Sequence, residues 1–180
     1  MMLGLGAVTL VGVGLYYAFR FEIQYYRNRE VIDYAAARYQ VAPRLIASVI
    51  WQETRFNPIC RGRAGEIGLM QIMPQSASEW AKAEHLSGFN PSTLFDPGTN
   101  VLAGTWYLGR ALRRWSTQLD PIPYALAEYN AGRSKALRWE HNTMRTPELF
   151  ADLIEYPSTR SYVRNILRSY STFGKPWQRW

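Results

Sequence analysis

One cysteine and two histidines are the only thiol and imidazole groups among the 180 residues. A lone Cys60 excludes an internal disulfide and every multi-cysteine zinc or iron–sulfur site. His85 and His141 stand far apart, with no metal-ligand spacing and no Gly-x-Ser-x-Gly elbow to serve. A phosphate-cradling glycine loop is also missing, so neither metal nor cofactor is expected. Alternation of apolar and polar residues never runs long enough for a sheet, and no segment repeats, which points to an all-α architecture.

Charge is sparse too, at 19% of residues, whereas 47% are hydrophobic and the chain holds seven Trp and twelve Tyr. That composition is far from the polar, aromatic-poor make-up of disordered chains. The length fits one compact domain, since domains run about 100 to 200 residues. Acidic residues are outnumbered 14 to 21, leaving a net charge of +7 and an affinity for a polyanion: nucleic acid, an anionic membrane or an acidic wall polymer. The densest basic group, Arg110, Arg113 and Arg114, lies at helical spacing beside Leu108, Leu112 and Trp115 and reads as the solvated side of an amphipathic helix. Without a single basic stripe or a recognised motif, nucleic acid is not the expected partner.

Met1 to Phe19, "MMLGLGAVTLVGVGLYYAF", has no charged side chain, and about 20 apolar residues span a bilayer as a helix. Residues 1–21 are therefore expected to anchor the chain in a membrane, with residues 22–180 forming the domain. A cleaved signal peptide is the alternative, but the run exceeds the usual h-region of about 7 to 15 residues and no basic n-region precedes it. Arg20, Arg27 and Arg29 follow the span, a bias that taken alone would leave the domain in the cytoplasm.

The spacing predicts one helix over 22–39 and another opening at Pro43 and closing at Asn57-Pro58. Further helices are predicted from Pro74, over 101–115, from Asp120-Pro121 to near Asn130, and over 147–155 and 159–170, with 85–98 a loop. In "LIASVIWQETRFNP", Leu45 to Pro58, residues Ile46, Ile50 and Glu53 share one face at i, i+4 and i+7. A carboxyl group on that apolar side, near a helix C-terminus, is pushed towards keeping its proton. Such a group suits a general acid that protonates the leaving oxygen of a glycosidic bond. A small rotation of the helix would instead put Glu53 on the rim beside Arg55. Most glycosidases also pair two carboxylates, and only Glu66 is near in sequence.

"ETRFNP" from Glu53, "AGEIGLMQIMP" from Ala64, "LFDPGTNVLAGTWYL" from Leu94, "DPIPYALAEYNAG" from Asp120 and "YPSTRSYVRNIL" from Tyr156 occur in that order. Together they resemble the consecutive motifs of the soluble lytic transglycosylase family, over about residues 31–170. The resemblance implies a goose-type lysozyme-like helical domain. It implies that Glu53 is a single acid and base, cleaving the bond between N-acetylmuramic acid and N-acetylglucosamine and closing the muramoyl 6-hydroxyl onto C1 as a 1,6-anhydro product. A tethered hydroxyl then replaces the second carboxylate's water. By the same resemblance Gly68, Gln71 and Met73 line the sugar cleft, Tyr129 approaches the acid, Asn130 approaches the sugar, and Tyr162 holds a further aromatic position. From the residues alone, Asn130-Ala131-Gly132 reads as a helix C-cap.

The implied partner is peptidoglycan and the implied location is the cell envelope, with the domain outside the cytoplasm. Three positions depart from the pattern: Gly62 stands where many members have Ser, Glu66 where Ala is usual, and Ser158 where Glu is usual. Glu66 leaves a hydrolytic, lysozyme-like outcome open, and Gly62 with Ser158 leaves open a wall-binding scaffold with little turnover.

Overall fold

The computed structural model describes Gly12, Tyr16 and residues 19–143 and 150–173. Helix α1 covers residues 19–27. It is followed by α2 (Arg29–Tyr39), α3 (Pro43–Thr54), α4 (Pro74–Ala83), α5 (Pro97–Arg114), α6 (Ile122–Ala131), α7 (Arg133–Thr143), α8 (Phe150–Leu153) and α9 (Pro157–Ser171), with a 3-10 turn at Pro91–Phe95. Among the described residues β structure is limited to two isolated bridges, Arg61 with Ile67 and Ile67 with Ile72. The all-α expectation therefore holds.

Proline and short polar caps set the helix starts. Pro43, Pro74, Pro97 and Pro157 each occupy a first turn, where a missing N–H costs nothing. Asp96 caps α5 by accepting from the Thr99 N–H at 2.8 Å, and Asn90 caps the 3-10 turn through the Ser92 N–H at 2.9 Å. That capping starts α5 four residues before the predicted 101 and gives the predicted loop over 85–98 a structured second half. Asn28 interrupts the helix expected over 22–39, its N–H shared between the Gln24 and Tyr25 carbonyls. Helix α7 was not foreseen, because only Ala136 and Trp139 of its polar sequence are buried. Of the helix predicted over 147–155, residues 150–153 are helical and 147–149 lie outside the described residues.

Helix α5 runs through the middle, packed on α2, α4, α6 and the 3-10 turn, while α9 closes over α3 and α6. The core joins Ile46, Ile50, Met70, Leu108, Leu126 and Ile166. Phe21 is 1% exposed and meets Trp51, Phe56 and Phe173 edge-on, so it belongs to this core although the expected domain boundary falls after it. The expected membrane span lies mostly outside the described residues, among which no helix is long and apolar enough to cross a membrane.

Candidate active site

Helix α3 buries six consecutive residues, Leu45 to Ile50, and so enters the core nearly all round. It stops at Arg55, which takes the left-handed conformation (φ 53°) and returns its N–H to the Trp51 carbonyl. Glu53 is in that last turn, with its Oε1 accepting a 2.7 Å hydrogen bond from the Tyr162 hydroxyl of α9. Arg55 bonds the Trp51 carbonyl and stacks over the Trp51 ring, so Glu53 and Arg55 do not pair. Burial raises the Glu53 carboxyl to about 7 from an ordinary 4.5; the Tyr162 bond opposes the shift and the charge of Glu66 adds to it.

The loop between α3 and α4 forms the facing wall. Ile67 and Ile72 exchange both backbone hydrogen bonds at 3.0 Å, and the Gly68 N–H donates to the Cys60 carbonyl at 2.9 Å. Gln71, itself at φ 48°, donates its amide to the Gly68 carbonyl at 2.9 Å and the Cys60 carbonyl at 3.3 Å. Thr54 ties the end of α3 to this loop by donating to the Leu69 carbonyl at 3.0 Å. Gly68 has φ +73°, and a Cβ there would lie 2.5 Å from the Leu94 carbonyl oxygen. No other residue fits.

A residue missed in the sequence holds this loop. Asn100, fully buried on α5, accepts from the Met70 N–H at 2.8 Å and donates to the carbonyls of Ile67 and Leu94 at 2.7 and 2.9 Å. The available signal was an amide in the first turn of an amphipathic helix, followed at once by Val101 and Leu102.

Gly62 needs no unusual backbone, yet a Cβ on it would fall 2.1 Å from Glu66 Oε2 and 2.8 Å from Gln71 Oε1. The Glu66 carboxylate therefore occupies the space a side chain at 62 would take, held there by the Ala64 N–H at 3.0 Å.

The other expected residues fall as follows. Met73 is 39% exposed at the start of α4. Tyr129 donates to the Met70 carbonyl at 2.9 Å instead of to Glu53, although the charge of Glu53 helps raise its hydroxyl well above the usual range, after burial. Asn130 accepts from the Thr159 hydroxyl at 2.8 Å, and Gly132 caps α6 at φ 89°. Tyr162 is the aromatic that touches the acid. Glu53, Gln71, Gly68, Tyr129 and Tyr162 thus converge from α3, the 60–73 loop, α6 and α9, with Asn130 and Met73 at the margin. Among the described residues no group of His, Cys, Asp and Glu could hold a metal ion.

The profile of the family described as Transglycosylase SLT domain matches residues 30–149. The chain belongs to this family. The soluble lytic murein transglycosylase of Escherichia coli K12 is 34% identical over 119 residues, covering 64% of the chain and 18% of that protein. The membrane-bound lytic murein transglycosylase F of Desulfosudis oleivorans is 34% identical over 109 residues, covering 59% and 22% respectively. The chain thus spans about a fifth of the length of these curated relatives. The crystal structure of the 70 kDa soluble lytic transglycosylase from Escherichia coli aligns at a TM-score of 0.73 with 26% identity, covering 84% of this chain and 25% of that one. Within this SLT domain, Glu53 opens "ETRFNP" at the end of α3, and Thr54 beside it bonds the loop that carries "GLMQIMP".

Proposed function

We propose that the chain is a peptidoglycan lytic transglycosylase with Glu53 as its only acid and base. The observation that carries this reading is a carboxyl group raised to about 7 by burial, hydrogen-bonded to one tyrosine and, among the described residues, to no carboxylate. Glu53 gives its proton to the glycosidic oxygen as the bond from C1 of N-acetylmuramic acid breaks. The resulting carboxylate, stabilised by the Tyr162 hydroxyl, takes the proton of the muramoyl 6-hydroxyl as that oxygen bonds to C1. Bonds and protons balance without water. Gly68 and Gln71 supply backbone and amide contacts to the sugar, Met73 and Asn130 flank the cleft, and Tyr129 fixes the Met70 carbonyl beside it. Residues 1–21 tether the domain to the envelope membrane, and the excess of basic charge favours an anionic wall.

The Glu66 carboxylate supports a second reading, in which it activates water and gives a hydrolytic product. Mass spectrometry of digested peptidoglycan separates the two. Anhydro-muramyl ends from the parent chain and none from Glu53→Gln support the transglycosylase reading. Reducing ends that vanish in Glu66→Gln establish hydrolysis, and no product from either folded chain leaves a wall-binding scaffold.

A further inference from the structure

Next to the Glu53 site lies a second, polar hollow of about 370 Å³. Its walls carry Arg110 and Arg114 from α5, Arg133 from α7, Ser76 from α4 and Tyr129 from α6. Tyr129 is common to both sites, since its hydroxyl bonds the Met70 carbonyl of the catalytic loop.

The three guanidinium groups differ in what they already hold. Arg114 is committed to Glu128, a carboxylate only 5% exposed that also accepts from the Trp115 indole at 2.9 Å. Arg110 is spread over the Trp106 and Tyr107 rings, its centre 4.7 and 4.4 Å from theirs, and meets Glu79 at 3.2 Å on the outside. Among the described residues Arg133 has no acidic partner, and it stands at the first position of α7, the end of a helix that favours negative charge. Like charge is felt inside the hollow: Arg114 is lowered by burial first, then by Arg133 and Arg110. Three arginines against one internal carboxylate, Glu128, leave the lining of the hollow with an excess of positive charge suited to an anion.

We propose that this hollow is a subsite for a carboxylate on the peptide branch of the glycan polymer, with Arg133 and Arg110 as its ligands and Arg114 as the strut that holds Glu128. A planar carboxylate suits the guanidinium fork. The cleft itself selects the sugars, and this subsite would select strands that carry peptides. The substrate class rests on the transglycosylase reading, and the geometry of the hollow stands apart from it.

The test is binding of the Glu53→Gln chain, with its chemistry disabled, to peptidoglycan that keeps its stem peptides and to the same strands after the peptides are removed. Stripping should weaken binding about five- to tenfold, in line with one partly exposed charged hydrogen-bonded pair. Adding Arg133→Gln, alone and with Arg110→Gln, should abolish that preference and leave affinity for stripped strands unaltered. Equal weakening on both polymers, or none on either, overturns the subsite. Turnover of the two polymers by the parent chain is a separate readout: a parent that binds with peptide preference but cuts neither would sink the transglycosylase reading and keep the subsite. Arg133 is exposed, so the melting temperature of Arg133→Gln should match the parent, and that single variant carries the test if the double variant is less stable.

Discussion

If Glu53 is the acid proposed above, its proton governs how activity depends on pH. With the carboxyl at about 7, kcat/KM should fall as pH rises through that value, because only the protonated acid can cleave. Two neighbours move the limb in opposite directions. The Tyr162 hydroxyl favours the carboxylate, so Tyr162→Phe should shift the limb to higher pH by up to about one unit. Glu66 disfavours it, so Glu66→Gln should shift the limb to lower pH by a few tenths of a unit. A pH series of initial rates for both variants checks the pair; a fall in rate with unmoved limbs would show that these side chains only pack. Stability carries the same proton. The folded state binds it more tightly than the unfolded chain, so stability should decline between about pH 4.5 and about 7 and then level off, by at most about 3 kcal/mol. Glu53→Gln has no such term and should melt above the parent at pH 8 while matching it near pH 4.

At the level of elements, the site depends on a 60–73 loop held mostly by hydrogen bonds, and Asn100 is the side chain on which several of them meet. Replacing it by Ala leaves the Met70 N–H and the carbonyls of Ile67 and Leu94 buried without that partner, a cost of about 3 kcal/mol or more. Denaturant titration of Asn100→Ala should show that loss, and surviving folded chains should lose kcat because Gln71 sits on the same loop. Helical periodicity made Glu53 visible, since an acid at i+7 from Ile46 and i+3 from Ile50 breaks an apolar face. Capping chemistry likewise marked the ends at Pro43, Pro74 and Asn130-Ala131-Gly132. Periodicity was blind to α7, whose buried side is two residues wide, and to the role of Asn100, whose partners are six to 33 residues away. The pairing of Gly62 with Glu66 also escaped, because a missing side chain discloses its reason only when the space around it is seen.

For the whole molecule, the question is where the domain begins. Composition places the boundary after residue 21, just past the uncharged run that Arg20 ends, yet Phe21 is sealed against Trp51, Phe56 and Phe173 from α3, its following turn and the chain beyond α9. Trp51 is two residues from Glu53, so α1 braces the helix that carries Glu53. Phe21→Ala in the full chain should cost about 3 to 5 kcal/mol, the range for a buried phenylalanine. Phe19→Ala, two residues earlier and 40% exposed, should cost about 1 kcal/mol or less. Chemical denaturation of the two variants against the parent measures both. If α1 were only a lead-in to the domain, the two costs would be equally small. A large cost at Phe21 alone requires that the folded unit include α1.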